Sequence, residues 1–266
     1  MRLGVLTSFL AIAVVALGLG AGAAKAGDVL RIGVEGAYKP FSWKDADGTL
    51  KGFDIDIAMA LCKKMGRECK LVEQNWDGII PALLAKKYDA IVSSMAITEE
   101  RKKKVDFTIK YYNAPHRFVA KKGANLEMTA EGLKGKRIGV QRATIHQCYL
   151  EKAFPNAELV LYGTQEEVFQ DLAIGRIDAS MSNTIQALEG FLDTDAGKDF
   201  EFAGGDQYDK GCHGEGSGIA LRKGSNGLRN ALNEAIKAIR ADGTYGKINA
   251  KYFDVDIYGA EDAATN

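Results

Sequence analysis

The same α/β unit is written twice along this chain. Arg31-Ile32-Gly33-Val34 and Arg137-Ile138-Gly139-Val140 each read as a short apolar strand. Downstream of each lies a helix-to-strand junction, Leu84-Ala85-Lys86-Lys87-Tyr88-Asp89-Ala90 and then Leu172-Ala173-Ile174-Gly175-Arg176-Ile177-Asp178-Ala179. A chain that builds one α/β unit twice is predicted to fold into two similar lobes. A cleft between lobes is where small ligands bind.

The rest of the pattern fills in around these units. Asp54 to Met65 has helical spacing, with Ile55, Ala58, Met59 and Cys62 on one side. Glu68 to Gln74 reads as a strand, Gly78 to Lys87 as a helix and Asp89 to Ser93 as a buried strand. This alternation predicts a parallel α/β sheet. Around Tyr111 to Arg117 the rhythm breaks at Pro115, which marks a crossing into the second lobe. The second unit then reads as strand 137–141, helix 144–154, strand 158–162, helix 165–175, strand 178–182 and helix 184–192. The four glycines between Gly211 and Gly218 suggest a flexible return to the first lobe. A strand at 219–222, an amphipathic helix at 227–240 and a short helix after Asp242-Gly243-Thr244 close the chain.

The N-terminus has the form of an export signal. Arg2 gives a basic start, an apolar run follows from Leu3 to about Leu19, and Ala24-Lys25-Ala26 fits a small-residue cleavage site. Residues 1–26 are therefore expected to be removed, and the mature chain to be exported. Without Arg2 and Lys25 the count is 33 basic against 35 acidic residues, a net charge of −2. Nothing in that balance draws a polyanion, so nucleic acid is not an expected partner. In an oxidising compartment Cys62 and Cys69, set across a turn at Gly66, are expected to form a disulfide. Cys148 and Cys212 have no readable pairing signal.

Several chemistries lack their motifs. There is no Gly-x-Ser-x-Gly, P-loop, His-Glu-x-x-His or Cys-x-x-Cys, and His116, His146 and His213 are scattered along the sequence. No metal or cofactor is expected. The most informative local segment is Ser93-Ser94-Met95-Ala96-Ile97-Thr98-Glu99-Glu100-Arg101, where a strand gives way to a helix capped by Thr98. Arg101 stands in the first helical turn, against the macrodipole, which makes sense beside a bound anion. Glu35 and Tyr38 follow the first strand and Trp76 follows another, at the strand ends where such sheets bind ligands. Two aromatics and an acid can sandwich an alkyl chain and pair a terminal cation.

With these segments the chain resembles the periplasmic solute-binding proteins of amino-acid ABC importers, in the lysine/arginine/ornithine and histidine branch. The resemblance runs from Arg31 to Gly259 and rests on Gly52-Phe53-Asp54-Ile55-Asp56, the segment Cys62 to Cys69, Lys86 to Ile91, Ser93 to Arg101, Glu189-Gly190-Phe191-Leu192 and Asp242-Gly243-Thr244-Tyr245. It implies a type II fold: two lobes, 27–114 plus 214–259 and 115–213, joined by a two-segment hinge, with a polar tail at 260–266. It also implies a monomer in the periplasm that delivers its ligand to an inner-membrane permease. Arg101 matches the arginine that grips the ligand carboxylate, with Ser93, Ser94 and Ala96 lining that site. Tyr38 and Trp76 match the aromatic walls, Glu35 the acid facing the distal cation, and Gln141, Thr144 and His146 the second-lobe loop that completes the cradle.

Two departures bear on the ligand. Asn183 stands where the resemblance places an aspartate on the α-ammonium, and Gln141-Arg142-Ala143-Thr144-Ile145-His146 replaces a Gly-rich loop and gains a cation. Both suit a substituted α-nitrogen with an added carboxylate, and the Glu35 and Trp76 pair also resembles binders of arginine-derived opines such as octopine and nopaline. A plain cationic amino acid (arginine, lysine, ornithine or histidine) is placed first, because Asn183 can still accept one hydrogen bond from an ammonium. A periplasmic dehydratase of the cyclohexadienyl type shares the fold; there Glu35 or His146 would be the general acid.

Overall fold

The computed structural model describes residues 29–259, so the expectations for residues 1–26 and for the tail lie outside the described residues. The first half of the chain runs β1 (Leu30–Val34), β2 (Ala37–Tyr38), β3 (Ser42–Lys44), β4 (Leu50–Lys51), α1 (Phe53–Lys64), β5 (Cys69–Glu73), α2 (Ile79–Leu84), β6 (Ala90–Ile91), α3 (Glu99–Lys102) and β7 (Val105–Tyr112). The second unit follows as β8 (His116–Lys121), β9 (Arg137–Gln141), α4 (Ile145–Ala153), β10 (Glu158–Tyr162), α5 (Gln165–Ala173), β11 (Ala179–Asn183), α6 (Thr184–Ala187), β12 (Phe200–Ala203) and α7 (Lys210–His213). The chain ends with β13 (Ser217–Arg222), α8 (Asn226–Ala241) and α9 (Thr244–Tyr252).

The strands form two five-stranded sheets of one design, β5-β1-β6-β13-β7 and β10-β9-β11-β8-β12, with β2-β3-β4 as a small third sheet. In each large sheet three parallel strands lead, the fourth runs antiparallel to them and the fifth pairs antiparallel with the fourth, so the sheets are mixed rather than purely parallel. The fourth place is filled by a strand that follows a passage between the sheets, β8 in one sheet and β13 in the other.

The repeated motif has a physical reason. A Cβ on Gly33 would lie 2.5 Å from the Tyr88 ring, and one on Gly139 would lie 2.3 Å from Ile177 Cδ1. Each glycine thus admits the bulky residue of its own junction onto the strand. Asp89 accepts from the Arg31 backbone N–H at 3.1 Å and pairs with its guanidinium at 2.8 Å. Asp178 does the same for Arg137, at 2.7 Å and 3.6 Å. Strand start and junction are thus clasped by an Arg–Asp pair in both lobes, more closely in the first.

Apolar residues cover both faces of each sheet. Ile57 and Leu61 of α1 and Leu232 and Ile236 of α8 bury one face of the first sheet, and Ile79 and Leu83 of α2 bury the other. Leu150 of α4 and Phe169 and Leu172 of α5 do so for the second. The chain crosses between sheets at 113–115, as the Pro115 break predicts, and again between Ala203 and Ser217. The second crossing is not a loose glycine run: residues 210–213 form α7, capped by Asp209, and Cys212 is bonded to Cys148 of α4. Cys62 and Cys69 are bonded as expected.

Candidate functional site

Four parallel strands end at one cavity. Glu35 follows β1, Ser93 lies just past β6, Gln141 ends β9 and Asn183 ends β11, and all four line the space between the lobes. This is where an open α/β sheet presents its ligand site. Tyr38, Trp76, Ser94, Ala96, Arg101, Thr144 and His146 line the same cavity, so every site residue expected from the sequence is brought to one place.

The lobes meet across it. Trp76 Nε1 donates to the Ala143 carbonyl at 3.1 Å, and Arg101 Nη2 donates to the same oxygen at 3.3 Å. Gln141 Nε2 donates to the Glu35 carboxylate, and Tyr38 is hydrogen-bonded to the Asn183 backbone. Arg142 does not line the cavity. Its Nε donates to the Tyr162 carbonyl at 3.1 Å and its guanidinium faces Asp77 at 3.7 Å, so the added cation of this loop latches the lobes instead of facing a ligand.

Arg101 is positioned by α3. Thr98 caps that helix by accepting from the Arg101 N–H at 3.2 Å, and Arg101 Nη1 donates to the Ala96 carbonyl at 3.0 Å. The guanidinium lies 5.2 Å from the Trp76 ring centre. Burial pushes it down to about 10, so it remains charged at neutral pH, and it has no carboxylate partner among the described residues. A partly buried guanidinium without an acid favours an anion. The N-terminus of α4 adds to this. Thr144 caps that helix, taking the Gln147 N–H at 3.3 Å and donating to the Gln141 carbonyl at 2.7 Å. The Ile145 and His146 N–H groups have no hydrogen-bond partner among the described residues and can face an anion.

Glu35 has the opposite character. Burial pushes its carboxyl up to about 7, against the Gln141 hydrogen bond. It is the only acid lining the cavity among the described residues. A cation placed beside it would return it to the ionised form. Two loop residues that line or border the cavity hold left-handed backbone without being glycine, Ser94 at φ 51° and Ala143 at φ 58°. Such strain gathers at binding sites and is held by the surrounding structure. For Ser94 the anchors are the Tyr111 hydroxyl, which accepts its N–H at 2.9 Å, and Asp54, which accepts from its Oγ at 2.8 Å.

The histidines, scattered in sequence, are gathered in the fold. His146 Nε2 lies 3.0 Å from His116 Nδ1, and the His116 and His213 rings stack with centroids 4.6 Å apart. All three line the cavity. Burial holds all three below the usual imidazole range, as does the mutual effect of His116, His146 and His213 on the first two. His116 and His213 escaped the sequence reading because one opens β8 and the other ends α7, more than 90 residues apart, with no shared periodicity. Among the described residues no group of three or more potential ligands is placed to hold a metal ion.

Comparison with known proteins agrees with this geometry. The family model for bacterial extracellular solute-binding proteins, family 3, matches residues 30–255. An L-arginine-binding protein of Pseudomonas aeruginosa is 50% identical over 233 residues, 87% of this chain and 90% of that protein. The histidine-binding periplasmic protein of Escherichia coli is 45% identical over 232 residues, 86% of this chain and 89% of its own length. Among solved structures, an ancestral arginine-binding protein bound to arginine superposes with a TM-score of 0.78 at 37% identity, covering 85% of this chain and 98% of that one.

Proposed function

This chain belongs to the bacterial extracellular solute-binding proteins, family 3, and from that premise we propose that it is the periplasmic receptor of an ABC importer for a cationic amino acid of the arginine, lysine, ornithine and histidine class. The observation that carries this reading is the pairing of two unmatched charges in one cavity. Arg101 is a partly buried cation without an acid among the described residues, and Glu35 is a buried acid without a cation. A ligand with a carboxylate and a basic tail supplies both. Tyr38 and Trp76 bound the same space and would flank its alkyl chain.

The lobes are taken as 27–114 plus 214–259 and 115–213. The ligand would land on Tyr38, Trp76 and Arg101 of the first, and the α4 N-terminus of the second would close over its carboxylate. The ligand then shifts an open–closed equilibrium by its greater affinity for the closed form. The closed monomer would be the species a membrane permease accepts. The relatives named above support this assignment by what their names say they bind.

Calorimetry with arginine, lysine, ornithine and histidine tests it. At least one is expected to bind. Arg101→Met is expected to abolish binding of each, and Glu35→Gln to weaken the basic ligands about 10- to 100-fold, the value of a charge-assisted hydrogen bond. Absence of binding by all four, or full affinity in Arg101→Met, would refute the reading.

A further inference from the structure

Two of the three histidines stand where the chain passes between the lobes. His116 opens β8 directly after the crossing at 113–115. His213 ends α7 directly before Gly214, where an added Cβ would meet the Ile97 carbonyl of the first lobe at 2.0 Å. The next residue, Glu215, donates its N–H to that carbonyl at 3.1 Å. His146 of α4 joins them, 3.0 Å from His116 and with its ring centre 6.5 Å from that of His213. The Cys148–Cys212 bond fastens α4 to α7 beside both rings, so the cluster cannot disperse within the second lobe. His116 and His213 line not only the cavity but also a groove bounded by both crossings.

The charges around the cluster do not accommodate a further cation. Arg101 of the first lobe lines the same cavity, and its charge acts on His146. Asp209 adjoins His213, whose Nδ1 accepts its N–H at 2.9 Å, but its carboxylate is paired with Lys152 at 2.6 Å. In the groove Asp206 pairs with Arg117, Glu215 with Lys102 at 3.3 Å, and Asp256 accepts the Tyr258 N–H at 2.9 Å. Lys110 and Lys210 add positive charge to that wall. Tyr149 and Tyr208 pack their rings against His213. Glu35 is held by Gln141, and Asp54 by Tyr111 and Ser94 inside the first lobe. A proton taken up by the closed form therefore creates a buried cation that meets Arg101 and finds its neighbouring acids engaged. Parting of the lobes moves Arg101 away and admits water, which relieves both penalties.

We propose that the histidine cluster is an acid-operated release at the hinge: uptake of a proton parts the lobes and weakens their hold on the ligand. This rests on the receptor reading above and adds a control of closure to it. The sign follows from linkage. Burial, with the neighbouring His213, holds His116 down to about 3 in the closed form, and burial keeps His146 and His213 below the usual imidazole range. The open form then binds the proton more readily, so closure is favoured at neutral pH and is lost as pH falls below about 6.5.

The test starts from Glu35→Gln, which removes another cavity group that titrates in this range. Small-angle scattering on this unliganded variant is expected to show a larger radius of gyration at pH 5 than at pH 8. Calorimetry should show its dissociation constant for arginine rising at least about tenfold between pH 7.5 and pH 5. Adding His116→Asn, His146→Gln and His213→Asn, which keep a polar atom at each bonded ring nitrogen, should flatten both changes. A radius and an affinity that stay constant with pH, or a full pH effect that survives the three replacements, overturns the release. If those replacements prevent folding, arginine binding to Glu35→Gln at pH 5.5, in buffers of different ionisation enthalpy, decides. Net proton release is expected, and its absence overturns the proposal. Failure of every basic ligand to bind the parent at pH 7.5 overturns the receptor reading instead, while the scattering result still judges the cluster.

Discussion

Asp54 takes hydrogen bonds from the Tyr111 hydroxyl and the Ser94 Oγ, both at 2.8 Å, at the buried first turn of α1. It thereby holds Ser94 in its left-handed conformation at the cavity wall. Burial pushes its carboxyl up to about 7, against these hydrogen bonds. The sign follows from linkage: an acid with a raised folded pKa contributes stability below its unfolded value, near 4, that is lost as pH rises through 7. Asp54→Asn removes that loss. The melting temperature of the variant, relative to the parent, is therefore expected to climb by a few degrees between pH 5 and pH 8. A difference that stays flat across this range would contradict the assignment.

The loop 141–144, helix α4 and helix α7 act together. Ala143 offers one carbonyl to both Trp76 and Arg101 across the cleft. The helix it leads into carries His146, and the Cys148–Cys212 bond ties that helix to α7, which carries His213. The bond spans 64 residues, and a closure of that length constrains the unfolded chain by about 4 kcal/mol. Replacing both cysteines by serine is expected to remove about 2–4 kcal/mol from the unfolding free energy in urea. It should also weaken ligand binding, because the return segment is released from α4. Unchanged unfolding would show that the bond contributes nothing there.

Closure of the two lobes is governed by what it buries. Closing without a ligand buries the Glu35 carboxylate with no cation paired to it, and its raised pKa reports that penalty. A basic ligand removes it. The exposed Arg142–Asp77 pair adds only about 0–1 kcal/mol to holding the lobes together. Small-angle scattering at pH 8 is expected to show a smaller radius of gyration when the ligand is added. The Glu35→Gln variant, which closes without burying a charge, should be more compact than the parent before ligand is added. Identical radii for the two unliganded proteins would remove Glu35 from the control of closure.

Much of this was readable from residue order. Gly33 and Gly139, with Tyr88 and Ile177, mark the two copies of one strand-and-junction unit, because a local steric fit leaves a local pattern. The ends of strands then point to Glu35 and Ser93, the family resemblance implies Gln141 and Asn183, and Thr98 capping predicts where Arg101 is held. Other features arise only when distant segments meet. The Cys148–Cys212 bond, the latch made by Arg142 and the stacked histidines join residues whose spacing follows no helical or strand period. The polarity of Asn183 is of the same kind: an amide can face a ligand with either end, and the backbone of α6 selects which one. Short-range sterics and capping are encoded in neighbouring residues, whereas the charge and hydrogen-bond balance of the cavity exists only after both lobes have folded.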